Sequence, residues 1–211
     1  DEAPSITFAY RSADGEEGFP GNLDVSICYT LTTDNALVID YTAKTDVSTL
    51  VNLTNHSFFN LTSDPARDIL SHELQIHADF VTAAGEGLIP TGELVPVAGT
   101  PADFRKAKTV GQDIRANDPF LRQCNGYDHN FVLAGEPGRK KAAEVYDQST
   151  GRVMLVFTDM PGMQLYTANS LSERAGKRGQ KDSSFHLVPS SPCSFDLCQF
   201  CKRPVLLDGD P

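Results

Sequence analysis

The stretch LDVSICYTLTTDNALVIDYTAK, residues 23–44, decides the fold class. Apolar and polar residues alternate on both sides of its centre, and this period of two is typical of β-strands whose two faces have different surroundings. The apolar positions of the two runs are Leu23, Val25, Ile27, Tyr29 and Leu31, then Leu37, Ile39, Tyr41 and Ala43. Between the runs, Asp34 and Asn35 favour a turn, so the stretch predicts a β-hairpin.

The rest of the chain repeats this pattern in short segments. Further strands are predicted around residues 47–59, 73–78, 129–133, 142–147, 152–158 and 163–168. Turn-forming clusters such as ADGEEGFPGN, AAGEG and AGEPG separate them, and no window of helical length has a clean 3.6-residue period. Many short strands joined by Gly/Pro turns predict an all-β chain, folded as an antiparallel β-sandwich or barrel.

The composition excludes several classes of function. The 211 residues include 18 Lys and Arg against 28 Asp and Glu, a net charge of −10. Proteins that bind the phosphate backbone of nucleic acids need a surplus of basic residues on at least one face. No apolar run approaches the ~20 residues that span a bilayer, and the first residues lack the pattern of a signal peptide. We therefore expect an acidic globular protein with no nucleic-acid partner and no membrane partner.

The cysteines do not form a recognisable disulfide framework. They are Cys28, Cys124, Cys193, Cys198 and Cys201, an odd number that fits a reducing compartment such as the cytoplasm. The last two form a CxxC pair, but a structural zinc site needs four ligands, and only His186 offers itself as the fourth. We therefore predict unpaired thiols and no metal.

The last part of the chain has a different composition from the rest. VPSSPCSFDLCQFCKRPVLLDGDP, residues 188–211, carries three of the five cysteines and four prolines, with no convincing strand or helix pattern. We therefore expect a β-sandwich domain over residues 1–187, followed by a divergent and disordered tail over residues 188–211.

The segment NLTNHSFFNL, residues 52–61, carries the clearest chemical signal. If it is a strand, Val51, Leu53, Phe59 and Leu61 share one face, and the other face holds Asn52, Thr54, His56, Phe58 and Asn60. A polar face with a histidine and an aromatic ring at its centre suits a sugar cleft, because sugars need hydrogen-bond partners and an aromatic surface for their C–H groups. The alternative is a solvent-exposed strand face with a chance histidine.

A series of segments spanning most of residues 10–187 resembles, in order, the aldose 1-epimerase (galactose mutarotase) family. They are DGEEGFPGNL (14–23), VNLTNHSFFNL (51–61), HELQIHAD (72–79), LIPTGELVPVAGTPADFRK (88–106), GYDHNFVL (126–133), STGRVMLVFTD (149–159) and PGMQLYTAN (161–169). The resemblance implies a galactose-mutarotase-like antiparallel β-sandwich in the cytoplasm. It also implies an isomerase that acts on free monosaccharides such as galactose and glucose without a cofactor or metal.

The resemblance assigns roles to five residues. Exchange of α and β anomers needs an acid that protonates the ring oxygen and a base that removes the anomeric hydroxyl proton. By resemblance, His56 is the proton donor, and Ser57 and Phe58 adjoin it in the substrate-binding stretch. Asp128 resembles the carboxylate that accepts hydrogen bonds from sugar hydroxyls, and Gln164 matches the sugar-contacting glutamine.

His129, next to Asp128, is a candidate second acid. Strand alternation directs it to the opposite face from Asp128, so a structural role is favoured.

Two departures from the family pattern bear on activity. An upstream section with an Asn-containing motif, an LHGG-type histidine and an arginine has no match here, so we expect the chain to begin after it and the sandwich to be incomplete. The family's base is a Glu in a segment like SGFCLETQ, whereas the matching stretch SSFHLVPS, residues 183–190, has Val188 at that position. Our hypothesis is a frame change or altered splice near residue 185.

Three readings follow. The chain is an aldose 1-epimerase, a non-catalytic sugar-binding protein that keeps His56, Asp128 and Gln164 without the base, or a truncated gene product. Asp196 and Asp208 are carboxylates of the tail that could replace the base, although the sequence alone gives no geometric argument for either.

Overall fold

A computed structural model describes residues 3–62, 64 and 67–169, together with the backbone of short strands between residues 174 and 207. The chain forms two compact units. The smaller unit comprises Asp1–Leu53 and Arg203–Pro211, and the larger unit comprises Thr54–Lys202. The regular structure described is almost entirely β-strand, which confirms the predicted all-β class.

The smaller unit contains a three-stranded antiparallel sheet. Its strands are β1 (Ser5–Ser12), β2 (Leu23–Leu31) and β3 (Leu37–Thr45), in that spatial order. The predicted hairpin is confirmed, with Leu31 opposite Leu37 where the chain turns. In the same unit, β4 (Thr49–Val51) pairs with β17 (Val205–Leu207).

The connection between β1 and β2 carries the DGEEGFPGN motif and a short 3-10 helix, Glu16–Gly18. Beyond it, Gly21 has a φ of +80°, and a Cβ at this position would lie 3.0 Å from the Cβ of Val47. Its main-chain amide donates to Asp14 Oδ1 at 2.7 Å. Both the backbone conformation and the space therefore require glycine here.

The larger unit is built on two antiparallel sheets. Its strands are β5 (Phe58–Phe59), β6 (Glu73–Ile76), β7 (Ala78–Ala84), β8 (Pro90–Pro96), β9 (Lys108–Thr109), β10 (Asp128–Leu133), β11 (Lys140–Asp147), β12 (Arg152–Thr158), β13 (Gly162–Tyr166), β14 (Arg174–Ala175), β15 (Lys181–Asp182) and β16 (Phe195–Phe200). The six-stranded sheet has the order β5-β16-β13-β10-β7-β8, and the four-stranded sheet has the order β12-β11-β6-β9. Strands β14 and β15 pair with each other.

A single hydrophobic core joins the two sheets of the larger unit. Phe131 of β10 and Leu165 of β13 come from the six-stranded sheet, and Ile76 of β6 and Val145 of β11 come from the four-stranded sheet. Each is at most 1% exposed, and all belong to one cluster. Because the inner faces of both sheets share this core, the larger unit is an antiparallel β-sandwich.

The segment between β4 and β5 differs from the prediction. The strand predicted over residues 47–59 is wrong for residues 52–57, which have no regular secondary structure. The main-chain amide of Ser57 donates to Oδ1 of Asn55 at 3.1 Å. Local side-chain bonds of this kind compete with the strand ladder, and an asparagine-rich segment offers several of them.

Helix α1 (Pro119–Cys124) is too short to show a helical period, so the sequence patterns do not predict it. Its signals are at the ends. Asp118 Oδ1 accepts a hydrogen bond from the Phe120 amide at 2.9 Å, and Asn125 ends the helix with a φ of +56°. Proline in the first helical turn completes a recognisable start signal. The other elements that the sequence did not predict are β1, β7 beyond its first residue, β8, β9, the four short strands β14 to β17, and the 3-10 helices Glu16–Gly18 and Glu86–Leu88.

Two strands fall in the segment expected to be a disordered tail. Strand β16 pairs with β13, and β17 pairs with β4. Much of residues 188–211 lies outside the described residues, so the division of the chain after residue 187 stays a prediction. Within the described part of the chain, no helix has the length and apolar character needed to cross a membrane.

The described cysteine side chains are unpaired. Cys28 is partly buried and Cys124 is buried, and both are free thiols. Cys193 and Cys201 lie outside the described residues. Across the residues that the structure describes, no group of three or more His, Cys, Asp or Glu side chains is placed to hold a metal ion.

Candidate functional site

Strands β10 and β13 bring polar and aromatic residues together on one face of the six-stranded sheet. Asp128 lies opposite Tyr166, and Asn130 lies opposite Gln164. Directly opposite residues share a face, and successive residues of one strand alternate between faces. His129 lies between Asp128 and Asn130 in the chain and is buried. Asp128 and Asn130 therefore face away from the core.

A hydrogen bond between Gln164 and Asp128 forms the centre of this face. Gln164 Nε2 donates to Asp128 Oδ1 at 2.7 Å. Burial raises the pKa of the Asp128 carboxyl, whereas the hydrogen bond from Gln164 and the nearby charge of His56 act in the opposite direction. Each carboxylate oxygen can accept hydrogen bonds, so Asp128 can bind a ligand hydroxyl through Oδ2 while Gln164 holds Oδ1.

Three rings cluster beside this carboxylate. The His56 ring lies 5.3 Å from the Phe58 ring and 6.3 Å from the Tyr166 ring, between centroids. Phe58 and Tyr166 lie 6.0 Å apart. His56 and Phe58 are both exposed, so the cluster presents an accessible aromatic surface next to hydrogen-bonding groups. That combination suits a ligand with both hydroxyl and C–H faces.

The structure therefore brings together four of the five residues that the sequence proposed. His56, Phe58, Asp128 and Gln164 are linked by the ring contacts, the hydrogen bond and the charge effect described above. Ser57 is exposed beside them in the chain, and its main-chain amide is held by Asn55.

Tyr166 belongs to the cluster but was missed by sequence reasoning. Strand alternation two residues after Gln164 was the signal that could have found it. On the other side of Gln164, Asn130 Nδ2 donates to Thr82 Oγ1 of β7 at 2.8 Å. The polar face therefore extends across three adjacent strands, and the pairing partners lie too far apart in sequence for a local pattern to connect them.

The segment that carries His56 and Phe58 is anchored just after β5. The main-chain amide of Leu61 donates to His72 Nε2 at 3.0 Å, and its carbonyl accepts from Thr150 Oγ1 at 3.1 Å and Arg152 Nη1 at 3.0 Å. Phe59 and Leu61 also pack against the core, on the side that alternation predicted. An irregular segment is thereby fixed at its end by both polar and apolar contacts.

His129 lies on the opposite face from Asp128, as alternation predicted. It is 5% exposed, and its ring stacks on Phe120 of α1 with 3.4 Å between centroids. Burial lowers the pKa of His129 to about 3, so the ring is neutral at physiological pH. A neutral, buried ring on the far face is unsuited to donate a proton to a ligand on the site face.

The residues that bear on the base fall in the C-terminal part. Val188, expected at the position of the family's Glu, lies outside the described residues, as does Asp208. The backbone of β16 places Asp196 opposite Tyr166 on one side and opposite Phe58 on the other. Asp196 therefore occupies the same cross-strand row as Asp128.

Comparison with known proteins gives consistent matches. A family model described as aldose 1-epimerase matches residues 1–194. The chain is 43% identical over 207 residues to the galactose mutarotase of Homo sapiens, an alignment that covers 96% of this chain and 58% of that protein. It is 42% identical over 167 residues to the aldose 1-epimerase of Escherichia coli (strain K12), covering 79% of this chain and 48% of that one.

A solved structure, galactose 1-epimerase from Lactobacillus acidophilus NCFM, is similar with a TM-score of 0.77 and 27% sequence identity. The match covers 98% of this chain and 56% of that chain. The chain thus spans about half to three fifths of the length of the relatives that it matches.

Proposed function

This chain belongs to the aldose 1-epimerase family, and from that premise we propose that it binds a free hexose and interconverts its α and β anomers. Relatives are named galactose mutarotase and aldose 1-epimerase, so galactose is the first sugar to test and glucose the second. We propose the cytoplasm as its compartment, because Cys28 and Cys124 are free thiols.

The observation that carries this proposal is the Gln164–Asp128 hydrogen bond beside the ring cluster. A carboxylate held in place by an amide accepts hydrogen bonds from neighbouring sugar hydroxyls with a defined direction. The rings of Phe58 and Tyr166 offer a surface for the C–H face of the sugar. His56 completes the arrangement with a group that can donate a proton.

Anomer exchange is a pair of coupled proton transfers. An acid donates a proton to the ring oxygen while a base removes the proton of the C1 hydroxyl, and the bond between C1 and the ring oxygen breaks to give the open-chain aldehyde. Rotation about the C1–C2 bond and reversal of both transfers then close the ring with the opposite configuration. We assign His56 as the donor, because an imidazolium carries N–H donors and the His56 ring lies in the cluster beside Asp128.

We propose Asp196 as the base. Valine at position 188 cannot accept a proton, so another group must do so if the chain is active. The register of β16 supports Asp196, since it lies in the row that contains Asp128 and Tyr166 and borders Phe58. In the pairing of the three strands, the backbone of Asp196 lies on the other side of Tyr166 from Asp128.

Polarimetry on freshly dissolved α-galactose tests the reaction, and calorimetric titration with galactose tests binding. We expect the chain to accelerate equilibration, and His56→Asn to reduce the acceleration by ~10²–10⁴-fold, the usual contribution of a positioned acid. His77→Asn makes the same chemical change between β6 and β7, outside the ring cluster, and serves as the matched control. Asp196→Asn should reduce the acceleration as strongly as His56→Asn.

The two assays separate the alternatives. Binding of galactose without any acceleration would replace the enzyme with a non-catalytic sugar-binding protein. A flat titration together with equilibration at the buffer rate would overturn the proposed function altogether. Acceleration that survives Asp196→Asn would remove Asp196 as the base while leaving the reaction in place.

A further inference from the structure

The main chain of Asp128 is held from the buried side of the sheet. Its amide donates to Nδ1 of His129 at 3.0 Å, and its carbonyl lies 3.9 Å from Sγ of Cys124. Asp128 is the first residue of β10, where a strand has fewest ladder hydrogen bonds to hold it and opens most easily. Contacts to the main chain of this one residue therefore matter for the direction in which the strand begins.

The ring of His129 is itself held on two sides by helix α1. It stacks on Phe120 with an interplanar angle of 14°, and its Nε2 lies 3.8 Å from Sγ of Cys124. A neutral imidazole has one N–H and one acceptor nitrogen. Because Nδ1 accepts the Asp128 amide, the proton belongs on Nε2, facing the sulfur. Burial keeps the pKa of His129 at about 3, so Nδ1 stays an acceptor at physiological pH.

We propose that His129 is a positioning residue for Asp128: by accepting its main-chain N–H, the ring fixes the start of β10 and so directs the Asp128 carboxylate toward Gln164 and the bound sugar. The part of this inference that concerns the sugar rests on the proposed function. The part that concerns Asp128 and Gln164 does not, since both groups and their 2.7 Å hydrogen bond are independent of any ligand.

Two substitutions test separately the hydrogen-bond acceptor of His129 and the packing of its ring. His129→Asn keeps an acceptor, because the amide oxygen lies about where Nδ1 was, but loses the stacked ring. His129→Phe keeps a ring against Phe120 but removes the acceptor and leaves the Asp128 amide without a partner. If the hydrogen bond positions Asp128, the Asn variant should bind galactose within about threefold of the unsubstituted chain, and the Phe variant about tenfold more weakly.

The opposite order, or equal losses in the two variants, would show that the ring acts through packing alone and would overturn the inference. Unchanged affinity in both variants would overturn it as well. Circular dichroism of each variant identifies any loss that comes from unfolding rather than from the site.

A measurement on the unsubstituted chain keeps the inference testable if either variant fails to fold. Amide hydrogen exchange followed by NMR should show the Asp128 amide protected, with exchange at least tenfold slower than that of exposed amides in the same chain. Exchange at the rate of exposed amides would overturn the inference. Galactose titration of the same sample reports separately on the proposed function, so a failure of binding is distinguishable from a failure of positioning.

Discussion

The sheet of the smaller unit and the sheets of the larger unit share one sequence pattern but differ in what covers their apolar faces. On β1, Ile6, Phe8 and Tyr10 are 56%, 57% and 61% exposed. In the larger unit, Phe131 and Leu165 occupy equivalent alternating positions and are 1% and 0% exposed. Alternation therefore identifies a strand and its apolar face equally well in both units, but it carries no information on whether that face is covered.

The polar faces differ as well. In the smaller unit, Asp24 is exposed, and its hydrogen bond to Arg11 lowers the pKa of its carboxyl. In the larger unit, partial burial raises the pKa of Asp128 despite its hydrogen bond to Gln164. A closed core beneath a sheet thus gives a polar group on the outer face a restricted environment, which a carboxylate needs if it is to bind a ligand with a defined geometry.

The largest expected difference between the two units is the effect of removing one aromatic ring. Phe131→Ala should lower the free energy of unfolding by about 3–5 kcal/mol, because it leaves a cavity in a closed core. Phe8→Ala, the matched change on β1, should cost less than about 1 kcal/mol, because its ring already contacts water over more than half its surface. Urea unfolding followed by circular dichroism measures both.

Equal losses in the free energy of unfolding from the two substitutions would contradict the difference between the two units. They would show that the apolar face of the smaller unit's sheet is covered in solution. A loss for Phe8→Ala that depends on protein concentration would identify a second copy of the chain as the cover.

Sequence patterns predicted the parts of the molecule that rest on local physics. The hairpin of β2 and β3 follows from period two and a turn, and β12 was predicted over residues 152–158, the bounds observed. Residues 52–57 were mistaken for a strand, although at their end the Asn55 side chain accepts the Ser57 amide in a local hydrogen bond. Helix α1 was missed because six residues cannot display a helical period, although its Asp118 cap was visible.

The candidate site was predictable in its residues but not in its contacts. His56, Asp128 and Gln164 came from motif resemblance, whereas their proximity depends on strand register. The Gln164–Asp128 bond joins residues 36 positions apart, and Tyr166 joins the cluster through tertiary contact with His56. Register follows from core packing over whole strands, so no single segment of sequence encodes it.

The second expected effect is an acid sensitivity of the larger unit between pH 7 and pH 5. The pKa of His129 is lowered to about 3 by burial, so below pH 6.5 the unfolded chain binds a proton that the folded chain does not. The contribution of His129 to the free energy of unfolding is therefore fully present above pH 6.5 and is lost as the pH drops toward 3. Between pH 7 and pH 5 the expected loss is about 2 kcal/mol, and the lowered pKa of His72 adds a loss of the same sign.

The smaller unit should respond at lower pH. The pKa values of Asp24 and Asp46 are lowered from 3.8, so their contribution is present above pH 3.8 and lost below it. Hydrogen exchange with mass spectrometry, corrected for intrinsic rates, should show protection falling in the larger unit at pH 5 and persisting in the smaller one. His129→Phe should flatten the change between pH 7 and pH 5, and an unchanged slope in this variant would assign the sensitivity elsewhere.

The third expected effect is on the pKa of the Asp128 carboxyl. In the unsubstituted chain, the hydrogen bond that Gln164 donates to Asp128 Oδ1 lowers the pKa of the carboxyl. Gln164→Leu removes this donor, so the pKa of Asp128 should rise further. The lost hydrogen bond should cost about 1 kcal/mol of stability. Carbon NMR titration of the Asp128 carboxyl follows the change directly. Gln112→Leu, at an exposed loop position, is the control and should leave the Asp128 titration unaltered.

The smallest expected effect concerns the ion pair of the smaller unit's sheet. Arg11 Nε and Nη2 donate to the two carboxylate oxygens of Asp24 at 2.6 and 2.5 Å, a bidentate arrangement that suggests a strong contact. Both side chains are mostly exposed, 66% and 53%, and water and salt screen such a pair. Arg11→Met should therefore leave the unfolding midpoint of the smaller unit unchanged within error, at both low and high salt. A clear fall in the unfolding midpoint at low salt that disappears at high salt would contradict this expectation. It would mean that water reaches the ion pair less freely in solution. The polar face of the smaller unit, like its apolar face, would then be more enclosed than the exposed fractions of its side chains indicate.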